Sequence, residues 1–70
     1  MERIGEKLKT LRLQHNLTTR QLAEHLRTTN SQISRIENGV RQPSGDLIVK
    51  IADFFNVSLD QLMRDDLDLE

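Results

Sequence analysis

The chain has 70 residues with no cysteine, so it is long enough for one small domain and carries neither a disulfide framework nor a thiolate metal site. Its charged start, MERIGEKLKT, predicts no signal peptide, and no apolar run approaches membrane-spanning length. Such a composition suits a cytoplasmic protein. Proline and glycine are scarce, at 1 and 3 residues, and strand-type alternation is absent, so the expected fold is all-α.

The net charge of −1 is unevenly distributed along the chain. Residues 1–45 hold eight basic and four acidic side chains, a net charge of +4, whereas residues 46–70 hold two basic and seven acidic ones, a net charge of −5. A basic half beside an acidic half is typical of a domain that binds a polyanion. Chance clustering of solvated charge is the alternative.

Helical spacing of apolar residues predicts five helices with short connections. They cover approximately residues 3–15, 19–26, 30–37, 45–55 and 59–63. Three capping boxes, each a Ser or Thr followed three residues later by Gln, mark helix starts at Thr18, Thr29 and Ser58. The predicted domain spans residues 1–64. The acidic segment 65–70 has no cap or period and is predicted to be a disordered tail.

Residues 18–39, TTRQLAEHLRTTNSQISRIENG, predict two short helices joined by a tight turn, which is a helix-turn-helix. At about 100° per residue, the outward face of the second helix carries Asn30, Ser31, Ser34 and Arg35. All four side chains can donate hydrogen bonds and none is acidic, as expected of side chains that read base edges in a major groove. The alternative, an ordinary solvated face, more often carries Glu and Lys.

Three runs of sequence resemble the Cro/cI-like helix-turn-helix family: LRLQHNLTTRQLAEHL, TTNSQISRIENGVRQPS and IADFFNVSLDQL. The resemblance covers about residues 4–62 and implies a five-helix lambda-repressor-like DNA-binding domain, with the motif at helices 2 and 3. It implies an internal salt bridge between Arg12 and Glu37. Together with the outward face, it implies base contacts from Asn30, Ser31, Ser34 and Arg35. It implies DNA backbone contacts from Thr19, Arg20, Asn38 and Arg41.

Three positions depart from the family pattern. Thr19 stands where the family often has a phosphate-binding glutamine, and Asn16 replaces a frequent glycine that asparagine imitates well. Arg27 occupies the motif turn, where glycine is common. A positive φ at Arg27 is expected to cost on the order of 1 kcal/mol.

The predicted function is sequence-specific binding of double-stranded DNA by a bacterial or phage transcriptional regulator, acting as a repressor. A homodimer on an inverted-repeat operator is expected, because one recognition helix reads only a few base pairs. The predicted dimer interface comprises Val40, Pro43, Val57, Leu59, Asp60 and Gln61. The alternative is an antitoxin-type module that neutralises a toxin partner and regulates its own promoter.

No catalytic constellation, metal site or cofactor is predicted. His15 and His25 lie on different helices and are interpreted as surface or cap residues rather than a metal pair. Ser31 and Ser34 are accompanied by no glycine-rich elbow or oxyanion-hole sequence. The chain is therefore not expected to be an enzyme.

Overall fold

The computed structural model describes residues 2–69, so positions 1 and 70, the outer ends of the predicted domain and tail, lie outside the described residues. Within residues 2–69 the chain forms five helices and no strand. They are α1 (Ile4–Gln14), α2 (Thr19–Leu26), α3 (Asn30–Glu37), α4 (Gly45–Phe55) and α5 (Leu59–Met63). The predicted all-α fold is confirmed, and α1 is one residue shorter at each end than predicted.

Side-chain caps begin the last four helices. At α2 and α5 the predicted capping boxes are complete: the N-cap hydroxyl accepts from the glutamine N–H, and the glutamine side chain accepts from the N-cap N–H. At α3 only the first half of the capping box forms. Thr29 Oγ1 accepts a hydrogen bond from the Gln32 N–H at 3.1 Å, but the Gln32 side chain does not accept one from the Thr29 N–H. Ser44 caps α4 by accepting from the Leu47 N–H at 3.3 Å.

A single apolar core joins all five helices. Its buried members are Ile4, Leu8, Leu11, Leu22, Ala23, Leu26, Ile33, Ile36, Ile48, Ile51, Ala52, Phe55 and Leu62. Helices α1 and α4 each place a stripe of apolar side chains against the shorter helices, as their three-and-four spacing requires. Leu47, also on α4, is only half-buried. The core therefore supports α2 and α3 from behind and leaves their outer faces in solvent.

Lys7 is a buried cation within this otherwise apolar interior. Its side chain is on α1 and only 2% of the residue is exposed. Lys7 Nζ donates to the carbonyl oxygens of Gln61 at 2.6 Å and Arg64 at 2.7 Å, at the C-terminal end of α5. Carbonyls at a helix C-terminus lack intrahelical donors and carry partial negative charge, so the ammonium satisfies them and pins α5 to α1.

The segment after α5 lies against the start of α1. The Asp65 carboxylate accepts from the backbone N–H groups of Glu2 and Arg3, both at 3.0 Å. Arg3 Nη1 donates to the Asp65 carbonyl oxygen at 2.9 Å, and Gln61 Nε2 donates to the Leu69 carbonyl oxygen at 3.0 Å. Residues 65–69 thus contact the start of α1 and Gln61 of α5. Helix α1 has no side-chain cap of its own, and Asp65 supplies one from the opposite end of the chain.

Asp65→Asn is expected to weaken the acid dependence of folding. Hydrogen bonds from the backbone N–H of Arg3, and then of Glu2, lower the pKa of Asp65 below its ordinary 3.8. A lowered folded-state pKa adds stability that is present above pH 3.8 and is lost as pH falls through the folded-state value. Urea unfolding at pH 6 and pH 3 measures the effect. The asparagine variant should be less stable at pH 6, with a smaller loss on acidification, and an identical pH profile would contradict the cap.

Candidate nucleic-acid interface

The turn between α2 and α3 is built from backbone hydrogen bonds around a left-handed residue. Arg27 ends α2 with φ 56° and ψ 44°, which is the positive φ considered for the motif turn. The Thr28 N–H donates to the Ala23 carbonyl oxygen at 2.9 Å, closing the end of α2. Thr29 then begins α3 in extended conformation. The turn therefore needs only two residues between the last residue of α2 and the cap of α3.

The side chains of α3 divide into a buried row and an outward row, as the helical period predicts. Ile33 and Ile36 are buried against the core. The predicted base-contacting residues lie on the other side: Asn30, Ser31 and Arg35 are exposed, and Ser34 is half-buried. The Ser34 hydroxyl accepts a hydrogen bond from Asn38 Nδ2 at 3.4 Å. Helix α3 thus presents an exposed, polar and non-acidic surface.

The predicted DNA backbone contacts lie at the start of α2 and at the end of α3. Thr19, half-buried, and Arg20, exposed, form the first turn of α2. Asn38 ends α3, and Arg41 lies in the loop that follows, where both are exposed. That loop turns back because Gly39 has φ 76°, and the Arg41 N–H donates to the Arg35 carbonyl oxygen at 3.3 Å. Both arginines, Arg20 and Arg41, are therefore accessible to solvent.

A largely buried salt bridge attaches the end of α3 to α1. Arg12 Nε donates to Glu37 Oε2 at 2.7 Å and Arg12 Nη2 donates to Glu37 Oε1 at 3.0 Å, a bidentate pair. The side chains are only 11% and 6% exposed. Hydrogen bonding to Glu37 raises the pKa of Arg12 above its usual value. Arg12 Nη1 also donates to the Leu17 carbonyl oxygen at 2.9 Å, so the pair ties α1, the following turn and α3 together.

The pair also changes the charge of the interface. Glu37 is the one acidic residue of α3, and its carboxylate points inward to Arg12 instead of toward solvent. Arg20, Arg35 and Arg41 remain exposed around α3. The interface is therefore more positive than its composition indicates, as binding of a polyanion requires.

The six residues predicted at a dimer interface differ in accessibility. Val40 is 76% exposed and Leu59 is 43% exposed, and Asp60 is exposed. Val57 is half-buried and Pro43 is buried. Gln61 is committed to the α5 capping box and to the Leu69 carbonyl oxygen. Only Val40, Leu59 and Asp60 offer open side chains to a second molecule.

Sequence reasoning did not anticipate several residues that position the interface. Gly5 lies where α1 meets the last turn of α3, Lys7 holds α5 and Asp65 caps α1. Each has its partner far along the chain, so no local pattern marks it. Among residues 2–69 no three His, Cys, Asp or Glu side chains are grouped to hold a metal ion. No helix in that range is long and apolar enough to cross a membrane.

The fold and the α2–α3 geometry define a helix-turn-helix domain, and comparison with known proteins agrees. A family model described as "Helix-turn-helix" matches residues 8–62. The chain belongs to the helix-turn-helix family, of the Cro/cI-like type that the sequence resembled. The family prediction is thereby confirmed.

Two relatives and one solved structure illustrate the similarity. The chain is 41% identical over 59 residues to the HTH-type transcriptional activator BcrR of Enterococcus faecalis, covering 84% of this chain and 29% of BcrR. It is 36% identical over 63 residues to the antitoxin PezA of Streptococcus pneumoniae, covering 90% of this chain and 40% of PezA. The N-terminal DNA-binding domain of SinR from Bacillus subtilis superimposes with a TM-score of 0.85 at 25% identity, covering 94% and 97%. The chain thus spans less than half the length of both sequence relatives.

Proposed function

We propose that the protein is a sequence-specific double-stranded-DNA-binding transcriptional regulator whose helix α3 lies in the major groove. The observation that carries this proposal is the exposed, non-acidic face of α3, formed by Asn30, Ser31 and Arg35. A B-DNA major groove is about 12 Å wide and admits one α-helix. Arg20, in the first turn of α2, and Arg41, in the loop after α3, are exposed, and in this proposal they contact phosphates. The match to regulators such as BcrR supports the same conclusion.

The predicted direction of regulation is repression. A recognition domain that occupies an operator blocks access to it without further parts, whereas activation needs a surface that recruits other proteins. BcrR, to which the chain is similar, is named an activator, and this favours the opposite direction. A reporter gene placed downstream of a DNA site that the protein binds distinguishes repression from activation. Repression predicts lower expression when the protein is supplied.

Arg35→Ala is expected to relax base preference at one operator position and to cost about 1–3 kcal/mol of binding free energy on the cognate site. Arg35 is the one long cation on the outward face of α3, and bidentate arginine-to-guanine contacts are the commonest specific contact. Selection of bound sequences from a random DNA pool measures the preference. The matched control is Arg41→Ala, which should weaken binding to all sequences alike and reduce the log-log salt slope by roughly one. An unchanged preference in Arg35→Ala would remove that residue from base readout.

We further propose that two copies bind an inverted repeat. Half-sites about one helical turn apart, roughly 34–36 Å, are read by two-fold dimers of such domains. The accessible apolar residues on α5 are Leu59, 43% exposed, and Met63, 40% exposed, and their spacing of four places them on one helix face. Asp60 lies beside them as a polar neighbour. Because this patch is small, we expect the dimer to form chiefly on DNA.

Leu59→Glu is expected to abolish two-copy binding without unfolding the domain. The new carboxylate would face its own copy across the two-fold axis, while Leu59 contributes little to the core because it is exposed. Sedimentation of the protein with a full inverted repeat measures the stoichiometry. Met63→Glu tests the same face of α5 one turn later. Val49→Glu on α4 is the control, because it adds the same charge at an exposed apolar residue outside α5. One wild-type copy bound at saturation would exclude the dimer.

The second candidate is an antitoxin that neutralises a toxin and regulates its own promoter, and the match to PezA favours it. That match covers 40% of PezA, so it is a likeness to part of that protein. In the proposed role the acidic residues of 46–69 would contact a basic toxin. Co-expression with a toxin and recovery of a stoichiometric complex would support this function, whereas recovery of this chain alone would favour the regulator.

A further inference from the structure

Arg27 is the exception among the left-handed residues of the chain. Within residues 2–69, positive φ angles occur at Asn16 (56°), Arg27 (56°), Gly39 (76°) and Asn56 (55°). Three of these positions carry glycine or asparagine, which tolerate the left-handed region. Arginine has no such tolerance, so its backbone is strained there. Strained backbone in a native structure points to a role for the residue that bears it. The side chain of Arg27 therefore requires an explanation.

The local structure does not need an arginine at this position. The Arg27 N–H donates to the Glu24 carbonyl oxygen at 3.3 Å, and Lys50 Nζ donates to the Leu26 carbonyl oxygen at 3.4 Å. These bonds use backbone atoms of the turn, so glycine or asparagine at position 27 would preserve them. In the part of the chain that the structure describes, the Arg27 side chain is exposed and makes no hydrogen bond or salt bridge. Neither the turn nor the core uses its guanidinium.

Arg27 lines a groove of about 170 Å³ between the motif turn, α3 and the start of α4. We call it the turn groove; its charged residues are Arg27, Arg41, Lys50 and Asp46. Three cations against one carboxylate make it a positive depression, and Gln32 and Ser44 add polar atoms to its wall. The turn groove extends from the motif turn, at Arg27, to the loop after α3, at Arg41. A DNA strand whose phosphates follow one wall of the major groove would contact both Arg27 and Arg41.

We infer that Arg27 is an additional DNA-backbone contact, and that it binds phosphates of the same DNA strand as Arg41, along the turn groove. This inference rests on the proposed function, since it places the strand beside α3. Arg27 lies three residues before Asn30, where α3 begins, and the N-terminal part of a recognition helix approaches the bases most closely. From this position the long Arg27 side chain lines the turn groove. Its fork of donors suits phosphate oxygens.

Arg27→Asn tests the inference, because asparagine keeps the left-handed turn while removing the cation. Counterion release gives a log-log salt slope of about −0.9 per phosphate contact, which is roughly eightfold in affinity at 0.1 M salt. We therefore expect Arg27→Asn to bind cognate and unrelated duplexes roughly eightfold more weakly and to lose about 0.9 from the salt slope. The urea unfolding midpoint should stay equal or rise, since strain is relieved. Arg27→Lys should restore most of the salt slope.

Lys9→Ala is the matched control, because it removes one exposed cation from α1, away from the turn groove. It should leave the salt slope within experimental error of wild type. An Arg27→Asn variant with unchanged affinity and slope, or with a loss equal to that of Lys9→Ala, would overturn the inference. Failure of the wild-type protein to bind any duplex would instead overturn the proposed function. The two failures are therefore distinguishable.

Discussion

Gly5→Ala is expected to destabilise the fold by about 3 kcal/mol or more, because a methyl group at this position has no room. A Cβ on Gly5 would overlap the carbonyl oxygen of Ile36 and lie 3.1 Å from that of Glu37. Both obstacles are backbone atoms of α3, so no side-chain rotation relieves the clash, and α1 and α3 must separate. Overpacking usually costs roughly 1–3 kcal/mol, and a clash with backbone atoms places this variant at the upper end of that range or above it. For a chain of 70 residues, total stability is only roughly 4–10 kcal/mol.

The control for this substitution is Gly45→Ala. Gly45 begins α4, has no positive φ, and a Cβ there would meet nothing within 4 Å. Alanine has the higher helix propensity, so Gly45→Ala should be neutral or stabilising by up to about 1 kcal/mol. Urea unfolding of both variants separates crowding from propensity. Equal stability of the two variants would show that α1 and α3 do not approach as closely as the structure indicates.

Glu37→Gln is expected to lower the free energy of unfolding by about 3–5 kcal/mol, since it leaves the charge of Arg12 buried without a counter-ion. The loss belongs to this range, and not to the range below about 1 kcal/mol of surface pairs, because the two side chains are 11% and 6% exposed. Glutamine accepts only one of the two hydrogen bonds that Glu37 accepts now. Urea unfolding at neutral pH measures the loss. A variant as stable as wild type would rule out a buried pair.

A double replacement distinguishes a stranded charge from simple loss of packing. Arg12→Met with Glu37→Leu removes both charges and keeps much of the buried volume, so it should recover most of the stability lost in Glu37→Gln. If the double variant is no more stable than Glu37→Gln, the loss comes from packing and hydrogen bonds instead of from a stranded charge. DNA binding adds a second measurement. Because Glu37 ends α3, the recognition helix of Glu37→Gln should be less firmly held and bind more weakly at all sequences.

The helices could be predicted from sequence because their boundaries are set locally. The caps at Thr18, Ser44 and Ser58 accept hydrogen bonds from N–H groups three residues away, and Asn56 ends α4 with its own left-handed φ. Apolar spacing then identifies the inward face of α3. Its outward face follows from the helical period without any knowledge of the partners, which is why Asn30, Ser31 and Arg35 are exposed as predicted.

The salt bridge is an intermediate case. Arg12 lies beside the apolar stripe of α1. Its side chain could therefore be expected to point inward if a carboxylate partner were present. Its partner, Glu37, lies 25 residues away on another helix, and periodicity alone does not select it from the other acidic residues. The family resemblance supplied that choice. Burial of the pair, which sets the size of the expected loss, follows only from how α1 and α3 pack.

Only the tertiary structure decided which residues act across the chain. Lys7 bonds to carbonyl groups 54 and 57 residues away, and Asp65 caps α1 from 62 residues away. Gly5 is required because two helices cross beside it. Sequence patterns record the periods and caps that a helix satisfies within a few residues, whereas these contacts depend on where whole helices come to rest. The sequence by itself therefore determined the five helices and the reading face of α3, and packing determined how firmly that face is held.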